Sequence, residues 1–112
     1  MIKTIRVLLE YNTYCLWLYD ESDELIDNNN PPEWDDDDSL TNAFLAVCDL
    51  YDTFYINNDI EFSFVGCPDK VTAQQFRDLF MNALALLEKK NNGRYVIENC
   101  VSLDFLNQRP NT

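Results

Sequence analysis

Residues 71–90, VTAQQFRDLFMNALALLEKK, read as one amphipathic helix, and the fold follows from what flanks it. Phe76, Leu79, Phe80, Ala83, Leu84 and Leu87 recur at the spacing of a single buried stripe. Thr72 is the expected N-cap, Gln75 completes a capping box, and Val71 with Phe76 makes a hydrophobic staple. Lys89 and Lys90 suit the negative end of the helix dipole, and Gly93, after Asn91 and Asn92, ends the run. Upstream, residues 53–56 and 60–65 flank Asn57, Asn58 and Asp59, a hairpin signal because Asn and Asp tolerate positive φ. In its second strand Ile60, Phe62 and Phe64 share one face, and Glu61, Ser63 and Val65 the other. Downstream, residues 95–103 read as a closing strand, and residues 108–112 as a frayed tail.

Further outward, residues 2–11, 14–19 and 24–27 read as a three-stranded meander. The second of these, YCLWLY, is apolar on both faces and therefore central. Alternation places Tyr14, Leu16 and Leu18 on one face and Cys15, Trp17 and Tyr19 on the other. Residues 28–38, NNNPPEWDDDD, are a loop, since the two prolines donate no backbone hydrogen bond. A helix then runs from about residue 38 to residue 51, with Leu40, Phe44, Val47 and Tyr51 on its buried face. The order is βββ-α-ββ-α-β. The expected fold is α+β, a mostly antiparallel sheet covered on one face by two helices, in a single domain over residues 1–112.

Composition narrows the function classes. Apolar residues make up 46% of the 112, which supports a packed core despite a net charge of -12. No apolar run reaches the roughly 18 residues of a membrane span, and MIKTIRVLLEYN reads as a strand and not a leader, so a cytoplasmic protein is expected. There is no histidine, hence no ordinary general base, and only Gly66 and Gly93 are glycines, too few for a phosphate-cradling loop. With 8 basic against 20 acidic residues, direct nucleic-acid binding is disfavoured by repulsion from phosphate. Cys15, Cys48, Cys67 and Cys100 form no C-x-x-C pair. They are expected as small buried hydrophobes in a reducing compartment, with disulfides as the main competing use. A non-enzymatic protein that binds something basic is the expectation, with no cofactor.

The charge is polarised along the chain. Residues 1–38 hold 11 acids and 2 bases, residues 39–66 hold 4 acids and no base, and residues 67–112 hold 5 acids and 6 bases. Within residues 20–38 lie Asp20, Glu21, Asp23, Glu24, Asp27, Glu33, Asp35, Asp36, Asp37 and Asp38, with no base among them. Each close carboxylate pair costs on the order of 1 kcal/mol in water, so such packing opposes folding. The plain use of the segment is a solvated loop leading into a helix N-terminus, where acids are favoured. The aromatics Trp34, Trp17, Tyr19 and Tyr14 in or beside it suggest more, because steering acids beside aromatic anchors suit a site for a cationic protein. Trp34 has two readings, an exposed anchor or a lid folded onto the core. The ten acids and Trp34 are therefore the candidate partner-binding residues. A dedicated calcium site is not expected, since the segment lacks the D-x-[DN]-x-[DN]-G pattern.

Three stretches, LLEYNTYCLWLYDESDELIDNN at 8–29, YDTFYINNDIEFSFVG at 51–66 and the helix at 71–90, together resemble the small acidic immunity proteins encoded beside bacterial polymorphic and contact-dependent growth-inhibition toxins. The resemblance implies a cytosolic inhibitor whose partner is a cognate toxin C-terminal domain, often a cationic nuclease, blocked at its active or substrate-binding face. It carries over no contact residue. A monomer that touches neither membrane nor nucleic acid is expected. The competing readings are a phosphate-mimicking inhibitor of another basic nucleic-acid-binding protein, and a small enzyme using Asp, Glu, Tyr or Cys.

Overall fold

The computed structural model describes residues 1–34, 38–57 and 60–107. Its elements are β1 (Ile2–Val7), β2 (Leu16–Asp20), β3 (Leu25–Asp27), a 3₁₀ turn (Pro32–Trp34), α1 (Asp38–Asp52), β4 (Tyr55–Asn57), β5 (Phe62–Phe64), α2 (Lys70–Asn91), β6 (Val96–Asn99) and a 3₁₀ helix (Leu103–Asn107). The α+β class with two helices stands. The strand pairing is mostly antiparallel, as expected, but it is divided between two sheets and includes one parallel pair. A four-stranded sheet has the order β3-β2-β1-β6, and β4 and β5 form a separate ribbon. β1 pairs antiparallel with β2, Ile5 facing Leu18 and Val7 facing Leu16, but β6 lies parallel to β1. The 22 residues of α2 span about 33 Å, enough to carry the chain back across the molecule so that β6 enters in the direction of β1. β4 and β5 close on themselves: Val65 and Gly66 both donate their N–H to the Phe54 carbonyl, at 2.8 and 3.1 Å.

The core lies between one face of the sheet and the helices. Ile5, Val7, Leu16 and Leu18 pack in one cluster with Leu40, Phe44 and Val47 of α1 and Phe76, Phe80, Ala83 and Leu87 of α2. The alternation read in YCLWLY therefore holds for Leu16 and Leu18, which are buried, and for Trp17 and Tyr19, which are half-buried on the other face. β2 is an inner strand, as its apolar character on both faces requires.

α2 starts earlier than its capping pattern predicts. Asp69 is the N-cap and its carboxylate accepts the Thr72 N–H at 2.7 Å, so Thr72 lies inside the first turn. Val71 is 79% exposed, so the expected staple is not formed. At the other end Asn92 takes the left-handed conformation, φ 47°, and its N–H reaches the Glu88 carbonyl; Gly93 follows at φ 81°. The cysteines follow expectation in part: Cys67 is free and buried, whereas one pair takes the competing use. Cys15 and Cys48 are paired in a disulfide between the segment entering β2 and α1, with Cα atoms 6.5 Å apart. Cys100 is free and exposed. No described helix is long and apolar enough to cross a membrane.

Candidate functional site

The acidic segment begins as a tight turn. Asp20 donates its N–H to the Glu24 carbonyl and Asp23 donates back to Asp20, both at 3.0 Å. The Asp20 carboxylate accepts the N–H groups of Ser22 and Glu24, at 2.8 and 3.0 Å. Asp23 sits at φ 63°, a conformation that Asp tolerates better than most residues. The turn leads into β3, a short edge strand whose three residues are all exposed. Acids there also discourage another strand from pairing with the open edge.

Two of the seven described candidate acids are committed to arginines. Arg6, on the face of the sheet away from the helices, stands over the Tyr19 ring at 4.2 Å and bonds both Asp23 and Glu98, the latter at 2.7 Å. The Glu98 hydrogen bond and the neighbouring carboxylates raise the Arg6 pKa further above its ordinary value. Glu33 accepts the Tyr95 hydroxyl and lies 3.0 Å from Arg94 Nε. The Tyr95 bond, aided by its own backbone and Arg94, holds the Glu33 carboxyl below the usual glutamate range. Glu21, Glu24, Asp27 and Asp38 are exposed and meet no arginine or lysine among the described residues. Asp38 opens α1, where the helix dipole favours it. Asp35, Asp36 and Asp37 lie outside the described residues.

Of its two readings, Trp34 takes that of a lid folded onto the core. It is 4% exposed and packs edge-on against Tyr95, ring centroids 5.8 Å apart. The 3₁₀ turn tips the indole inward, closed by a Trp34 N–H to Pro31 carbonyl bond of 2.9 Å. Of the other aromatics, Tyr14 is anchored from within: its hydroxyl donates to Asn30 Oδ1 at 2.7 Å, and burial pushes its pKa up to about 12. Trp17 and Tyr19 keep part of their rings on the open face.

Residues not singled out in the sequence hold this segment in place. Asn28 replaces a missing strand partner: its side chain accepts the Tyr14 N–H and donates to the carbonyls of Tyr14 and Leu16, at 2.9, 2.7 and 3.0 Å. Asn30, 6% exposed, bridges Tyr14 to Thr41 at the start of α1. Asn91, also 6% exposed, exchanges two hydrogen bonds with the Tyr95 backbone and so fixes the partner of Glu33. The polar asparagine run reads as turn chemistry in one dimension. Only the tertiary structure shows that two of its members are brackets.

A second surface lies at the β4–β5 end. Tyr11, Tyr51, Tyr55, Phe62, Phe64 and Phe105 pack ring against ring, with Tyr11 4.9 Å from Tyr55 and Tyr51 6.0 Å from Phe64. Phe62 is nevertheless 57% exposed and Phe64 39%. The alternation at 60–65 could have signalled this, because an isolated two-stranded ribbon has one face too many to bury. Among the described residues no three acidic or cysteine side chains converge as a metal site. In comparisons of the chain with protein-family models, curated proteins and solved structures, nothing matches.

Proposed function

We propose that the protein is a non-catalytic inhibitor of the immunity type, which binds a cationic toxin domain, in the first instance a nuclease, and shields its active or substrate-binding face. The observation that carries this reading is the state of Glu21, Glu24 and Asp27. They stand exposed on a turn and edge strand that backbone and Asp20 hydrogen bonds hold in shape, with no described base to neutralise them. Carboxylates on a backbone held in advance attract a basic surface at a smaller ordering cost than those of an unstructured loop. The low content of basic residues, the lack of histidine and the resemblance in three stretches support the same reading. Cytoplasmic action against a partner made in the same cell belongs to this proposal.

The test pairs the protein with the product of the adjacent upstream gene. Co-expression is expected to relieve the growth arrest that this product causes alone, and the two are expected to form a stoichiometric complex. E21Q/E24Q/D27N should slow association by about tenfold at low salt, with a smaller effect at high salt. No protection and no complex would sink the reading. An unchanged on-rate would remove its electrostatic part.

A further inference from the structure

The hairpin end offers more than exposed rings. A cleft of about 370 Å³ opens between the β4–β5 ribbon and residues 100–105, with Tyr51, Tyr55, Phe64, Val101 and Phe105 in its wall. That volume is at the small end for a ligand site and suits one long side chain. The wall is held before anything binds. The Tyr51 and Tyr55 hydroxyls are 3.0 Å apart, Tyr55 stacks on Phe62 at 5.5 Å, and Asn57 Nδ2 donates to the Tyr11 hydroxyl at 3.1 Å.

The stretch that supplies most of its rings carries charge of one sign. Residues 39–66 contain no lysine or arginine. Asp52 is fixed beside the rings by accepting the Asn12 N–H at 3.0 Å, and Asp49 lies one turn earlier on α1. Glu10 lies in the chain between Leu9, in the cleft wall, and Tyr11, in the ring cluster, so it too stands near the rings. Glu10 and Asp52 both add to the burial and the Tyr55 contact that raise the Tyr51 pKa. Aromatic faces are themselves electronegative and favour a cation above them, a planar guanidinium most of all. An anionic ligand would be repelled. A second copy meeting this surface symmetrically would oppose acids to acids.

We propose that this cleft receives an arginine side chain of a cationic polypeptide partner, stacked among Tyr51, Tyr55 and Phe64, with Glu10 and Asp52 beside the rings. It rests on the reading of the protein as a binder of a cationic protein, and it moves the anchor from the acidic turn to the opposite kind of surface. The turn attracts; the cleft holds.

The test titrates the full chain, labelled with nitrogen-15, with a capped peptide of four Arg-Gly repeats and, separately, with four Lys-Gly repeats. The arginine peptide is expected to shift the amides of residues 51–65 and 100–105 saturably. The lysine peptide should bind about threefold more weakly. F64S should weaken arginine-peptide binding by a similar factor. Should F64S fail to fold, E10Q/D52N, which keeps the hydrogen-bond acceptor at residue 52, is expected to do the same. Shifts confined to residues 20–27, with the two peptides binding equally, would overturn the arginine cleft and leave the cationic-partner reading standing. Binding of neither peptide would sink both.

Discussion

Between Asp20 and Trp34 the chain carries its densest described charge, yet much of that segment is occupied with its own structure. Asp20 closes a turn, Asp23 and Glu33 pair with arginines, Asn28 and Asn30 bracket the strands, and Trp34 is inside. The β4–β5 ribbon carries fewer charges, but its rings are packed on one side and open on the other. Charge density in a sequence is therefore a poor measure of available surface. A carboxylate beside an arginine contributes little field, whereas a pair of acids beside exposed rings keeps theirs.

The largest effect that distinguishes the two regions is expected from the aromatics. W34A removes a buried indole and should lower stability by about 3–5 kcal/mol, whereas F62A, at a half-exposed ring, should cost less than about 1 kcal/mol. Chemical denaturation measures both. A mild W34A would break the comparison, because Trp34 would then have surface to offer a partner.

How far the sequence could be read follows the same line. The helix stripes were legible because they are local: Leu40, Phe44, Val47 and Tyr51 are all buried, as are Phe76, Phe80, Ala83 and Leu87. Leu79 and Leu84, at the stripe's margin, are only partly covered. The register of β6 was not legible, because parallel pairing with β1 joins residues about ninety positions apart and leaves no mark in either strand. The disulfide is hidden for a similar reason. Cys15 and Cys48 are 33 residues apart, and nothing in their spacing selects that pair over the others. At the candidate site, the acids were visible and their partners were not: Arg6 and Arg94 come from β1 and the α2–β6 connection.

A middle-sized effect should come from the brackets. N30A leaves the Tyr14 hydroxyl without its acceptor and Thr41 without its Asn30 donor, at a partly buried site. A loss of about 1–3 kcal/mol is expected, the range for orphaned buried polar groups. N29A, at an exposed neighbour, should cost clearly less. Equal urea midpoints for the two variants would mean that the loop before α1 is held by packing alone and that its asparagines are interchangeable.

The smallest effect is the most specific, and it concerns pH. Glu33 titrates below the usual glutamate range, chiefly because the Tyr95 hydroxyl donates to it, with Arg94 assisting. A carboxyl whose folded pKa is depressed adds stability that is present above its unfolded pKa. That stability is lost as pH falls through the folded value. The stability difference between the native chain and E33Q should therefore be constant near neutrality and shrink under acid. Y95F, which removes the largest cause, should bring the Glu33 titration, followed by carbon-13 chemical shift, back toward the ordinary glutamate value. Should Glu33 already titrate there in the unmodified protein, with E33Q tracking it at every pH, the carboxylate is not clamped. It would then join Glu21, Glu24 and Asp27 as open negative surface, and the acidic segment would present to a partner much more than the turn at its tip.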